Sequence, residues 1–511
     1  MVTRLYFVRH AEAEGNVKRI FHGWTDAKLT EKGRIQAQKL AARMKDMDID
    51  VIYSSSLERA KETAAYIAAA KNLPVISNDN LREINGGSWE NQKWEDLPLK
   101  WPYEYHTWEN RPHIHNMPDG ESMEDFQERL ISEIKYIIDN NMGKNVCIVT
   151  HGTAIKALIC YFTGCSLEEM LNINWVDNTS ITEIHYEDGT FKVVDEGDSS
   201  HLGDEYSTLK FQDWWEYNKI MIEKRNRIIS LMFETGALQV CPEDSPFWYT
   251  SGTIGPYYIN THYLYGSKEK AEMLLKDIEI ATKDRLTCSG EILAKVLKNY
   301  NEELIYKELI DELCDYIKSK INIDKVDYIS GGERRDWFFS LIAARILKKP
   351  HLTIFKDLDV VVFDGEKSWR TDNINGASVL HIADLITEAS SYIRAWIPAV
   401  KSINGVMKWS VVIVDRNQGG EEMLLREKII SHGMVYINKG LFDKALSFGL
   451  INEKQYNLII EYLENPRESM RKFLIQNPEF IEKAMKSDKR TRERAELCIE
   501  KDIYGLGERK S

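Results

Sequence analysis

The chain has 511 residues and a formal charge of −13, from 67 basic and 80 acidic side chains. An acidic balance excludes nucleic acid as the expected main partner, because phosphate backbones select basic surfaces. With 43% hydrophobic and 29% charged residues the composition is that of a globular chain long enough for about three domains. No apolar run reaches the ~18 residues that a membrane span requires, so no membrane partner is expected. The seven cysteines are scattered without a CxxC pair, which reads as free thiols in a reducing compartment. The N-terminus enters a strand pattern at once, with no signal-peptide apolar region, so the expected location is cytoplasmic.

Residues 1–205 alternate strand and helix patterns. RLYFV (4–8), DVIYS (50–54) and NVCIVT (145–150) read as buried strands, and 30–46, 56–71 and 120–139 as amphipathic helices. The expected fold class is α/β, with a mostly parallel sheet flanked by helices. The polar stretch EGDSSHLGDEYS (196–207) marks the first boundary, with a linker at 206–218. A second α/β domain, 219–440, opens on a helix at 219–238. It carries strands at 326–330, 351–355, 378–382 and 409–415, with a helical insertion near 280–320. From 441 to 511 the pattern is a charged helical extension, in which KSDKRTRERAE (486–496) reads as a solvated face, with a lid or dimer contact as the alternative.

Chemistry concentrates at strand ends. FVRHAEAEGN places Arg9 and His10 directly after an apolar strand, NVCIVT ends at His151, and DVIYS leads to Arg59 on the first turn of a helix. Ligands in parallel α/β sheets bind outside the carboxyl ends of the strands. Two arginines and two histidines on one sheet edge suit phosphoryl transfer. A neutral imidazole attacks phosphorus and carries the phosphoryl group, while the arginines neutralise its oxygens. The same positive cluster takes the place of a metal ion, so neither metal nor cofactor is expected. LREINGGSWEN adds Glu83, whose carboxyl, raised in pKa beside a bound phosphate, would serve as general acid and then as base.

Five stretches in order, RHAEAEGN, GWTDAKLTEKG, SSSLERAKETA, LREINGGSWEN and VTHGTAIKAL, resemble the histidine phosphatase superfamily, with the phosphoglycerate-mutase-like fold, over about the first 200 residues. The resemblance implies His10 as nucleophile, Arg9, Arg59 and His151 as phosphate ligands, Glu83 as acid/base and Asn16 as a phosphate-pocket residue. Ala11 and Ala13 depart from the common Gly and hydroxyl residues. A mutase needs extra basic residues over the pocket, whereas the covering segment 89–122 is aromatic and acidic, which favours a phosphatase acting on a small phosphorylated metabolite. Trp89, Trp94, Trp101 and Trp108 either pack that cap or stack on a base or sugar. His106, His113 and His115 lack the wider pattern of a zinc site.

In the second domain YISGGERRDWFFSLIAARIL (328–347) reads as a strand, a Gly-Gly loop and a helix. Arg334 and Arg335 sit beside backbone amides that suit an anion. The series resembles the type I phosphoribosyltransferases, the orotate enzyme above all, over 219–440. VLHIADLITEASS (379–391) lies where that family has its phosphoribosyl-pyrophosphate motif. The resemblance implies Asp384 as acceptor from ribose hydroxyls and Thr387, Ser390 and Ser391 as donors to a 5-phosphate. Four departures count against transfer. Ala383 stands where a second acid is usual, Glu388 and Ala389 replace glycines, and 355–369 offers Lys356 followed by acids and valines in place of a Lys-rich loop. Thr250 stands where a Lys precedes Ser-Gly. Expected roles for this domain are therefore ligand binding or regulation, with a bifunctional transferase/phosphatase and a partner-binding module as alternatives, and a homodimer through it as a further expectation.

Overall fold

The computed structural model describes residues 1–243 and 245–506, with side chains throughout except at 211 and 213–222. The chain divides into two units, Met1–Ile222 and Glu223–Ser511. Among the described residues no helix is long and apolar enough to cross a membrane.

The first unit is built on six strands: β1 (Thr3–Arg9), β2 (Val51–Ser55), β3 (Val75–Asn78), β4 (Asn145–Thr150), β5 (Ile181–Glu187) and β6 (Thr190–Asp198). They lie in the order β3-β2-β4-β1-β5-β6. The pairings from β3 to β1 are parallel, and β5 and β6 continue the sheet antiparallel. Alternation along β1 sends Leu5 and Phe7 to one face and Tyr6 and Val8 to the other. The first face packs on Phe126, Leu130 and Ile134 of the helix Met123–Asp139 and on Ile155 and Leu158 of the helix Gly152–Thr163. The second packs on Leu40 and Met44 of Glu31–Met44 and on Ala60, Ala64 and Ile67 of Glu58–Lys71. Each buried leucine or isoleucine contributes about 1.5–3 kcal/mol. Thr30 and Ser122 start two of these helices, their hydroxyls accepting from Gly33 N–H and Asp125 N–H.

The expected boundary and linker differ from what is observed. Residues 196–198 belong to β6, and the helix Asp213–Glu234 begins inside the expected linker. Thr208 and Leu209 are buried, and their backbone N–H groups donate to the Asp177 carboxylate at 3.0 and 3.3 Å. A polar stretch that looks like a tether is thus docked by its backbone.

The second unit holds a seven-stranded sheet in the spatial order Ser368–Arg370, Val360–Phe363, His351–Ile354, Tyr328–Gly332, Ser378–Ile386, Val406–Asp415, Ile430–Tyr436. The four pairings from His351–Ile354 onward are parallel, and the first two are antiparallel. The stretch that stands in place of a Lys-rich loop, 355–369, supplies most of an edge hairpin. Its run Val360, Val361, Val362 is buried, as β-branched side chains favour. The helical insertion is present as Lys268–Ala281, Arg285–Glu302 and Leu304–Lys320, and the C-terminal extension as Lys439–Ser447 and four further helices. Those last helices cover the aromatic segment 247–255. Trp248 stacks on Phe480 with centroids 5.6 Å apart, Arg494 donates to Trp248 O at 2.6 Å, and the Tyr504 hydroxyl accepts from Ile254 N–H at 2.9 Å. The basic run 486–496 therefore has at least one side chain committed to packing.

Candidate active site

β1 and β4 lie side by side and end together, because His10 N–H donates to Thr150 O at 2.9 Å. That register brings His10 against His151, with ring centroids 5.2 Å apart. Arg9, His10, Arg59, Glu83 and His151 are all buried, and their side chains act electrostatically on one another.

His10 Nδ1 lies 2.7 Å from Ala11 O. A carbonyl only accepts, so Nδ1 carries the proton and Nε2 presents a free lone pair. Burial, then Arg59 and Arg9, hold its pKa well below the ordinary imidazole value, so the ring is neutral at pH 7. His151 Nε2 lies 2.8 Å from Ser55 Oγ. Ser55 Oγ also accepts from Leu57 N–H at 3.3 Å, and in the tautomer where its hydroxyl donates to Nε2 the proton of His151 lies on Nδ1. The remaining nitrogen, His151 Nδ1, is buried without a partner, and in that tautomer it is an N–H donor available to an anion.

Arg9 donates through Nη1 to Val176 O at 2.6 Å, while its Nε is buried with no partner. A Cβ on Gly152 would lie 3.3 Å from that Nε, so glycine lets the helix start close against the guanidinium. Arg59 donates to Thr25 O at 2.9 Å, Gly23 O at 2.8 Å and His22 O at 3.3 Å. Burial lowers its pKa to about 10, which leaves it charged at neutral pH.

Glu83 accepts from Ile84 N–H at 3.0 Å and Thr153 N–H at 3.1 Å. Its pKa is raised chiefly by burial, against the lowering effect of those two bonds. Burial thus raises the Glu83 pKa without any contribution from a bound phosphate. Asn16 sits in the short helix Glu14–Lys18 and is half-buried. Its amide oxygen accepts from Ala13 N–H at 2.9 Å, so only its Nδ2 could serve an anion.

Several residues that shape the site were given no role in the sequence analysis. The Glu90 carboxylate accepts from Gly23, Trp24, Thr25 and Gly86 N–H at 2.7–3.1 Å. Arg129 grips Glu121 through two bonds of 2.8 Å and donates to Asn80 O and Glu83 O, which fixes the loop carrying Glu83. Asn178 Nδ2 donates to His10 O at 2.7 Å, and Thr63 Oγ1 accepts from Ala11 N–H at 3.0 Å. The tryptophans of the cap pack rather than stand open. Trp89 is fully buried against Phe21 and Trp108, and Trp94 and Trp101 pack on the same core. His115 is wedged between Trp89 and Trp108, and burial lowers its pKa to about 4.

In the second unit Asp384 does not end its strand, which runs two residues further to Ile386. Thr387 is half-buried, Ser390 and Ser391 are exposed, and Ala389 adopts φ 57°, a left-handed conformation that favours glycine. Glu388 is exposed, so its charge faces solvent. Lys356 pairs with Glu333 at 3.6 Å. The Gly-Gly amides are not an open cradle: both glycines lie in the strand Tyr328–Gly332, and Gly332 N–H donates to the Asp336 carboxylate at 2.8 Å. Arg334 approaches Glu279 at 3.5 Å on the surface, and Arg335 is exposed. The acid missing at position 383 has a counterpart in space. Asp336 Oδ1 accepts from Asp384 N–H at 3.0 Å, and burial together with the Asp336 charge raises the Asp384 pKa.

Residues 5–199 match the model of the histidine phosphatase superfamily, branch 1. Phosphoserine phosphatase 1 of Hydrogenobacter thermophilus is 33% identical over 205 residues, which are 40% of this chain and 97% of that protein. A 2,3-bisphosphoglycerate-dependent phosphoglycerate mutase of Bartonella bacilliformis is 34% identical over 175 residues, 33% of this chain and 84% of that protein. Among solved structures, Bacillus stearothermophilus YhfR is 36% identical, covering 39% of this chain and 98% of its own, with a TM-score of 0.38. The family model and the identity to the two curated relatives, along 97% and 84% of their lengths, identify this chain, through its first unit, as a member of the histidine phosphatase superfamily.

Proposed function

We propose that the first unit is a phosphomonoesterase that works without a metal ion through phospho-His10. The observation that carries this reading is the Nδ1–H bond from His10 to Ala11 O, which leaves Nε2 unprotonated beside buried positive charge. Nε2 attacks phosphorus, a P–N bond forms, and the P–O bond to the substrate oxygen breaks. Arg9, Arg59 and His151 Nδ1–H hold the equatorial oxygens, and Glu83 gives its proton to the leaving oxygen. Glu83, now a carboxylate, takes a proton from water as the water attacks phosphohistidine. Inorganic phosphate leaves and His10 is restored. The substrate class is a small phosphomonoester such as a nucleotide, a sugar phosphate or a ribose phosphate. One relative's name adds phosphoserine to the compounds to test. Hydrolysis of an aryl phosphate in EDTA by the intact chain, compared with His10→Ala, tests the reading. Full activity in the variant would refute it.

For the second unit we propose a phosphoribosyltransferase-like module that binds a ligand or regulates without transferring. Support comes from the parallel strands around Ser378–Ile386 and from a buried Asp384 next to a second acid. The hairpin at 360–370 and the exposed Glu388 argue against transfer. Calorimetry with phosphoribosyl pyrophosphate and nucleoside monophosphates tests ligand binding. Release of pyrophosphate in the presence of a base would overturn the non-transferring assignment.

A further inference from the structure

We propose that residues 206–209, which lie beyond the segment matched by the family model, form a strap that orients the imidazole of His10 through Gln36. This inference rests on the reading of His10 as the nucleophile. The peptide between Ala11 and Glu12 has two partners: its carbonyl accepts from His10 Nδ1 at 2.7 Å, and its N–H donates to Gln36 Oε1 at 2.8 Å. The other end of the same Gln36 amide donates to Tyr206 O at 2.7 Å and Thr208 Oγ1 at 3.0 Å. A continuous run of hydrogen bonds thus links the strap to the ring through two amide groups, each polarising the next.

The strap is itself held on both sides. Asp177 accepts from the Ser207 hydroxyl at 2.5 Å and from Thr208 and Leu209 N–H, and it also accepts from Asn178 N–H at 2.8 Å. Asn178 in turn holds His10 O. Thr208 Oγ1 donates to Glu12 Oε2 at 3.2 Å, and Lys32 Nζ donates to Ser207 O at 2.9 Å. Gln36, Thr208, Asp177, Asn178 and Glu12 are all buried, so solvent does not replace these partners. Gln36 and Thr208 are positioning residues, because they touch the ring only through the 11–12 peptide.

The test uses the full chain. Thr208→Val keeps the shape and removes the hydroxyl, and Thr208→Ser restores it. With an aryl phosphate, Thr208→Val is expected to lower kcat about ten-fold or more with KM little changed, and Thr208→Ser to recover it. In 15N-histidine-labelled protein, with His10→Ala for assignment, the Nδ1–H signature of His10 is expected to weaken in Thr208→Val. Wild-type kcat together with an unchanged His10 signature would overturn the strap. A wild-type chain inactive on every phosphomonoester would refute the phosphatase reading instead, and the histidine spectrum would still decide the strap. Should Thr208→Val not fold, Asp177→Asn is carried through both readouts with the same expectations.

Discussion

Glu90 and Arg59 grip one turn by opposite polarity. The Glu90 carboxylate takes the N–H groups of Gly23, Trp24 and Thr25, and the Arg59 guanidinium takes the carbonyls of His22, Gly23 and Thr25. The turn is a bridge between the two side chains, so the position of Arg59 depends on a carboxylate 31 residues away in sequence.

Glu90→Gln would set an amide NH2 against backbone N–H donors. The expected cost is about 1–3 kcal/mol of stability, read in denaturant titration, from donors left without acceptors. kcat/KM should fall with it, because Arg59 loses its mould. Unchanged stability would show that water replaces the carboxylate.

Arg59→Ala removes the charge and leaves three carbonyls without donors. kcat/KM on a small phosphomonoester is expected to fall about 10²–10³-fold, with weaker inhibition by inorganic phosphate. Arg59→Lys should recover little, since one ammonium does not reproduce a planar fork among three carbonyls.

The pH profile follows from two opposite shifts. His10 must be neutral to attack, and its pKa is lowered, so the acid limb of kcat/KM should lie below the ordinary imidazole range of about 6.5. Glu83 must be protonated, and its pKa is raised, so the basic limb should lie above the ordinary carboxyl range. The rate is therefore expected to have completed its rise before the ordinary imidazole range is passed, and to fall only above the ordinary carboxyl range. Glu83→Gln should lose the basic limb and lower hydrolysis of alkyl phosphates about 10²–10⁴-fold, with a smaller loss for aryl esters whose leaving groups need no proton. A rate that still climbs through pH 7–8 would contradict the lowered His10 pKa.

Asp384 gives a stability prediction with a definite sign. Its folded pKa is raised by burial and by Asp336, so the folded state binds a proton more tightly than the unfolded chain. That proton stabilises below the ordinary carboxyl range, and stability is lost as pH rises from there to the folded pKa. Asp384→Asn removes the titration and offers Asp336 an amide donor. Its melting temperature relative to wild type should therefore rise as the measurement moves from pH 4 to pH 8. A constant difference across that range would refute the raised pKa of Asp384.

Most of the catalytic candidates were legible because they stand at strand ends, where a polar residue interrupts an apolar run. Arg9, His10 and His151 are read in this way, and Arg59 follows from the helix start after β2. Gln36, Glu90, Asp177 and Asn178 were not, since they act on backbone atoms of residues far along the chain, and a glutamine in an amphipathic helix carries no local mark. Asp384 misled in the same manner. An acid breaking an apolar run looks like a strand end, yet Leu385 and Ile386 continue the strand, and the acid beside it comes from position 336. Residues 206–209 carry no local mark either, because a polar, Gly/Ser-rich stretch reads as tether until the distant Asp177 and Gln36 that hold it are placed.

The central claim is most directly tested by rapid quenching of the intact chain during turnover of an aryl phosphate in EDTA, followed by peptide mapping under alkaline conditions. A phosphoryl group that is acid-labile and base-stable, located on the peptide containing His10 and missing in His10→Ala, is the predicted result. Turnover with no phosphoryl-enzyme, or with the group on another residue, would contradict it.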